Sequence, residues 1–427
     1  ERYSGYKDSG VDWIGEIPEH WEVKKLKAII REHSGNGFPV NQQGNKSGKI
    51  PFYKVSDING SEKFLTNANN YVDTISVRRH NWNLIPINSI VAAKIGEALR
   101  KNHRKITTVK AIIDNNCIAF EPVKIEFKYN YYLHKTIDFD WFSNPGAVPS
   151  ISVSMYKNFY VSLPPLQEQK AIANFLDEKT SKIDTAITQK EQMISLLKER
   201  KQILIQNAVT KGIDPAAKMK DSGVEWIGKI PKGWKILPNK VLFQESKASG
   251  NDTLPLLSVS LHSGISSGEL GEEENIRGKV KIEDKSSYKL VRPHYIAYNM
   301  MRAWQGAIGA VAVDGMVSPA YVVAIPNNLI NSVFFEFQYR TSSFIQQMNR
   351  FSKGITDFRK RLYWNEFKQL NTIVPPLRVQ KKIVDFIETE SVKIDTSIEL
   401  QQQQITKLKE YKTILIDHAV TGKIKVT

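Results

Sequence analysis

Four short runs set cationic side chains beside aromatic rings and amides. They are RRHNW (Arg78–Trp82), EALRKNHRK (Glu97–Lys105), MMRAWQG (ending at Gly306) and TDFRKRLYW (Thr356–Trp364). The chemistry open to such groups is recognition. A guanidinium can donate two parallel hydrogen bonds to guanine in the major groove, and an amide can pair with adenine there. Lysine more often holds a phosphate. The candidate nucleic-acid contacts are therefore Arg78, Arg79, Lys94, Arg100, Lys101, Arg104 and Lys105, and, later in the chain, Arg302, Trp304, Gln305, Arg359, Lys360 and Arg361. A single charge run is as readily a solvated face. Here the runs recur in a chain of net charge +16, a field that favours a polyanion.

Catalytic signatures are missing. No Gly-rich phosphate loop of the form GxxxxGK[ST] occurs, and the histidines lack paired metal-ligand spacing. The proline pairs follow Leu163 and Val374, so no Asn/Asp-Pro-Pro-aromatic run exists to hold a base for amino-methylation. The tripeptides at Glu22–Lys24, Glu126–Lys128 and Glu366–Lys368 match half of a nuclease metal site, a pattern common by chance. One cysteine, Cys117, excludes an internal disulfide and makes structural zinc implausible; it fits a reducing, cytoplasmic compartment. No catalytic residue, metal or bound cofactor is expected of this chain. A stand-alone nuclease or methyltransferase is the alternative.

The elements that must position these groups are duplicated. KDSGVDWIGEIPEHW (Lys7–Trp21) returns as KDSGVEWIGKIPKGW (Lys220–Trp234). A second, longer match starts at Leu163 and Val374 and runs without a gap at an offset of 211 residues, sharing PPL, QK, KIDT, ILI and AVT. Between the matches the copies diverge, although the intervening lengths are nearly equal. Two similar frames thus hold two unlike inserts. Drift alone would erode frame and insert together, so the contrast points to one task on two targets. The inserts carry most of the charge surplus: 20 Lys+Arg against 11 Asp+Glu over 22–160, and 17 against 12 over 235–371.

Within each insert, apolar runs at Ser89–Gly96, Asn116–Val123, 306–313 and 320–326 read as strands, so each is expected to be a compact α/β domain. The long matches read as helices. Each opens on a proline pair and meets no further proline or glycine until Gly212 or Gly422. About 45 residues of helix would span roughly 65 Å. Apolar positions alternate in fours and threes: Ile183, Ile187, Ile194, Leu197 and Leu204 in the first copy, and Ile394, Ile398, Ile405, Leu408 and Leu415 in the second. Lys190, Lys201, Gln401 and Lys412 interrupt this seam at matching places. Such a pattern predicts a coiled coil in which the two helices pair, with polar positions fixing register. Two-fold pairing of equal units would make them antiparallel and place the inserts at opposite ends. The short phrase supplies Trp13, Ile14, Ile17 and Trp21, matched by Trp226, Ile227, Ile230 and Trp234. It either anchors the chain onto the insert's core or presents Trp13, Ile14, Trp226 and Ile227 to a docking partner.

The expected fold is α+β: two α/β domains (1–162 and 214–373), each followed by a long helix (163–213 and 374–427). The phrase, LPPLQEQKAIANFL, KIDT and ILIQNAVTKGI, with their second copies, resemble the specificity subunits of type I restriction-modification systems over essentially the full chain. AYNMMRAWQGAIG and DGMVSPAYVVAIP in the second insert are similar to that family's target recognition domains. The first insert departs, with AAKIGEALRKN in the matching place. The resemblance implies a non-catalytic subunit whose two target recognition domains each read half of a split, asymmetric site in double-stranded DNA, with the helices setting the gap. It also implies two modification subunits that carry S-adenosylmethionine, restriction subunits as further partners, no membrane association, and a prokaryotic cytoplasm.

Overall fold

A computed structural model describes residues 2–60, 62–144, 148–250, 253–261, 264–267, 287–354 and 360–426. The chain forms two compact units, one of Glu1–Lys190 with Gln403–Thr427 and the other of Glu191–Gln402. Each long helix contributes to both.

Each insert is closed at its base by its own ends. Glu22–Lys25, directly after the first phrase, pairs antiparallel with Tyr160–Leu163, directly before the first proline pair. Lys235–Pro238 pairs with Asn371–Val374 in the same way. The first insert's main sheet has the order Ile30–Ser34, Cys117–Pro122, Ile90–Ala93, Lys105–Thr107, Phe64–Leu65. The second has Phe243–Ser246, Tyr321–Pro326, Ile296–Asn299, Ile308–Ala310. The first four strands of one correspond in order and direction to the four of the other, all antiparallel. The inserts therefore share a sheet although their sequences do not align. Strands covered on both faces read as continuous apolar runs; Ile90–Ala93 and the buried Cys117–Phe120 stretch are of this kind.

The repeated phrase folds as the same small hairpin twice, Tyr6–Asp8 with Glu16–Pro18 and Met219–Asp221 with Lys229–Pro231. Asp8 accepts from the Gly10 amide at 2.9 Å and Asp221 from the Gly223 amide at 2.8 Å, the aspartate turn chemistry that the spelling suggests. Trp21 and Trp234 then enter the cores. Truncating a fully buried indole of this kind costs about 3–5 kcal/mol. In the first unit, the chain's two ends meet here. Tyr6 donates to the Gly422 carbonyl at 3.1 Å, and a side chain at Gly422 would strike Pro18. Gly212 lies against Trp234 in the corresponding way in the second unit. The first phrase has a polar latch besides: Glu168 accepts from Tyr3, from Trp21 at 3.1 Å and from His20 at 2.9 Å.

The long helices are Leu166–Lys211 and Leu377–Val420. Gln169 and Gln380, equivalent and buried, secure their starts. Each donates to the first proline's carbonyl at 2.8 Å. Each also accepts from the backbone N–H that opens an insert helix, that of Glu126 at 2.8 Å or Asn331 at 2.7 Å.

Along the helices the seam is covered. Ile183, Ile187, Ile394, Ile405 and Leu415 are buried, and Ile194, Leu197, Leu204, Ile398 and Leu408 are half-buried. In the first unit Lys412 pairs with Asp184 at 2.6 Å and Lys190 with Gln404, so the helices run antiparallel. In the second unit Lys201 pairs with Asp395 at 2.7 Å. These two ion pairs join equivalent residues in exchanged roles. Exposed pairs stabilise by only about 0.2–1 kcal/mol, so their contribution is to register. No helix of the described residues is long and apolar enough to cross a membrane.

Candidate nucleic-acid interface

In both inserts several of the candidate groups follow the same strand of the main sheet. After Ile90–Ala93 the chain passes through Lys94, Arg100 and Lys101 before returning as Lys105–Thr107. After Ile296–Asn299 it passes through Arg302, Trp304 and Gln305 before returning as Ile308–Ala310.

The second connection is tightly built. Asn299 Oδ1 accepts from the Met301 N–H at 2.9 Å, and Ala303–Gln305 forms a 3-10 turn. Gly306 ends it at φ +99°, where a side chain would also press on Ile345 at 3.1 Å; glycine is required there. Trp304 donates to the Met301 carbonyl at 2.9 Å, and the Lys360 ammonium lies 5.5 Å above its ring. The Leu362 N–H bonds the Met300 carbonyl at 2.8 Å, and Lys353 and Arg361 exchange backbone hydrogen bonds. Lys360 and Arg361, distant in sequence, thus join Arg302 and Gln305, which are exposed. Lys360 is held by Asn349 at 2.9 Å. Arg359 lies outside the described residues.

The first connection is not the uniform basic loop that its letters suggest. Glu97–Arg100 is a helical turn in which Arg100 pairs with Glu97 at 3.1 Å, and Lys101 is exposed. Lys94 is half-buried. Two residues read as contacts turn inward. Arg104 is 3% exposed; its guanidinium lies 3.5 Å from the Phe139 ring centroid and donates to Asn102 at 2.8 Å and to the Ile137 carbonyl at 3.3 Å. Lys105 is 4% exposed and pairs with Glu62 at 3.0 Å. The ring of Phe139 and the carboxylate of Glu62 hold these side chains inside, so both are corrected to structural roles. Burial lowers the pKa of His103, and the neighbouring cations Lys135, Lys101, Lys105 and Arg104 lower it further.

Arg78 and Arg79 are exposed in the last turn of Thr74–Arg79, a helix capped by Asp73, which accepts from Ser76 at 2.6 Å. Beneath them His80 stacks on buried Trp82, which meets the stacked rings of Phe38 and Phe52. This aromatic base fixes where the two arginines stand.

The phrase residues read as a docking surface are mostly covered. Ile14 is 1% exposed. Trp13 stacks on Phe159 at 5.0 Å and donates to the Tyr160 carbonyl at 3.0 Å. Trp226 packs edge-on to Phe344, and Ile227 lies against the same core. These four anchor the phrase to the insert, because large apolar groups next to a core gain more by burial than by exposure. Gln169 and Gln380 were missed by charge and motif reasoning; their signal was the QK shared by both copies. Among the described residues no group of three side chains could hold a metal ion.

Residues 18–195 match the family model described as the type I restriction modification DNA specificity domain. The putative type I restriction enzyme MjaX specificity subunit of Methanocaldococcus jannaschii is 25% identical over 97% of this chain and 96% of its own length. Residues 18–195 thus carry a type I restriction-modification DNA specificity domain, and along nearly its whole length the chain is similar to type I specificity subunits. This family is the non-catalytic, DNA-recognising component of those systems. The MjaIX specificity subunit of the same organism is 23% identical over 97% of this chain and 95% of its own. Among solved structures, a chain from work on complex assembly and conformational transition of the type I R-M system has a TM-score of 0.68 at 10% identity, covering 96% of this chain and 99% of its own. The HsdS subunit of Thermoanaerobacter tengcongensis has a TM-score of 0.54 at 12% identity, covering 96% and 98%. At such identities these two structures speak for the specificity-subunit fold alone.

Proposed function

We propose that this specificity subunit reads a bipartite DNA site, each insert recognising one half and the paired helices setting the unread gap. The carrying observation is the shared sheet: one connection, after the same strand in both inserts, presents Lys94, Arg100 and Lys101 in one and Arg302, Trp304 and Gln305 in the other. Equal placement with unequal chemistry is what two different half-sites demand. Arg78, Arg79, Lys360 and Arg361 supply further cations for phosphate or base contact.

Two modification subunits would supply methylation, with S-adenosylmethionine held by them and not by this chain; restriction subunits would add cleavage. Docking moves from the phrase to the helices. Ile203 and Ile414 are equivalent, and each is 52% exposed on its helix. One such apolar group on each copy suits two identical partners. In this reading the complex works in the prokaryotic cytoplasm.

Co-expression with the cognate modification subunit, followed by genome-wide adenine-methylation mapping, tests the proposal. The expected motif has two unlike half-sites at one gap, and exchanging one insert changes one half only. A contiguous motif, or methylation by this chain alone, overturns it. Replacing Ile203 and Ile414 by glutamate should abolish methylation while duplex binding persists.

A further inference from the structure

Beyond the bonds that Gln169 and Gln380 make alike, the two inserts are fastened to their helices by different chemistry. In the first unit the helix face Ile172, Ala173 and Leu176 is buried, and Asp177 follows at its edge. Three donors converge on that carboxylate. Lys63 forms an ion pair with it, Lys128 lies at 3.1 Å, and the Tyr132 hydroxyl donates at 2.6 Å. Lys63 leads into the edge strand Phe64–Leu65, whereas Lys128 and Tyr132 belong to the helix Phe127–Thr136. Lys63 also lies 4.4 Å from the Tyr132 ring centroid, and Tyr132 is within 3.2 Å of Thr180 Oγ1. Burial would raise the Asp177 pKa; the bonds from Lys63 and Tyr132 outweigh it and hold the carboxyl below its usual value.

In the second unit the equivalent apolar face, Ile383, Val384 and Ile387, is buried as well. Glu388 occupies the place of Asp177, but it is exposed, and among the described residues no ion pair reaches it. Ser391 occupies the place of Thr180, and its hydroxyl is buried without a partner. Apolar contact is non-directional. A carboxylate tied to two separate elements is directional and resists rotation of one body on the other.

We propose that Asp177 is a positioning residue that locks the first reader's orientation on its helix and so sets how strictly the gap is measured, a lock with no counterpart among the described residues of the second reader. This rests on the bipartite-reading assignment. The test uses the complex with its modification subunit and a DNA library with fixed half-sites and a gap varied by one base pair either way, read by methylation sequencing. D177N should raise the ratio of off-gap to on-gap methylation roughly tenfold, the factor that one hydrogen bond to a charged group is worth. Half-site preference should stay unchanged. K63M should move the ratio the same way, D177E should restore part of the discrimination, and E388Q should leave it at the wild-type value. An unchanged ratio in D177N with native circular dichroism sinks the lock, as does E388Q matching D177N. Should D177N fail to fold, an unchanged ratio in K63M decides equally. A wild-type complex with no preferred gap would instead sink the bipartite assignment and the lock with it.

Discussion

The first reader keeps two of its candidate contacts inside, and the second keeps Arg302 and Gln305 outside. Arg104 and Lys105 lie within the first insert, one against an aromatic ring and one on a strand. Arg302 and Gln305 stand on a short turn that a required glycine terminates. The same connection of the same sheet therefore carries two core supports beside exposed Arg100 and Lys101 in one copy, and displays Arg302 and Gln305 in the other. Duplication preserved the backbone and left side chains free to change depth. Count of charge is a poor guide to a binding face when two adjacent residues can reverse the assignment.

That contrast can be broken by substitution. The largest effect is expected from R104A, which removes the ring contact and leaves the Ile137 carbonyl and Asn102 short of a donor. It should destabilise the first unit by about 3 kcal/mol, seen by calorimetry as a lowered transition, whereas R302A should leave both transitions in place. Equal shifts would erase the distinction. Next, R302A combined with Q305A should weaken cognate duplex binding about 10- to 100-fold at fixed salt, with non-cognate binding nearly unaltered. Equal loss on both duplexes would reassign the turn to the phosphate backbone. R78Q with R79Q should weaken all duplexes alike and flatten the salt dependence by about one unit for each charge removed from a phosphate; an unchanged slope would place this face away from DNA. The smallest expected effect is K412Q, a few tenths of a kcal/mol in stability for an exposed pair, matched by K201Q. A large difference between those two would contradict the equivalence of the ion pairs.

Much of the frame was legible in the residues. Proline pairs and the first following glycine bracket both helices to within a few positions, and the four-three alternation names the covered face. Such features are local, and local rules describe them. The inserts were legible only as strands. Their closure by Glu22–Lys25 with Tyr160–Leu163 joins segments more than 130 residues apart, which no periodicity reveals. The burial of Arg104 depends on Phe139, and the meeting of Trp304 with Lys360 depends on pairing between distant segments. Gln169 and Gln380 went unread because the QK that both copies share does not by itself mark an amide buried between a proline pair and an insert helix. The tripeptides that matched half of a nuclease site have structural employment instead: Glu22–Lys24 lies in the closing strand, and Glu366 is buried against Lys353.

Cys117 sits on an interior strand of the first insert's main sheet, fully enclosed, and burial drives its thiol far above the ordinary range. Being the sole sulfhydryl of the chain, it is a built-in clock. A maleimide can reach it only when that sheet parts, so the labelling rate measures how often one reader breathes while the other stays silent. Adding duplex DNA should slow the clock if the first reader is gripped.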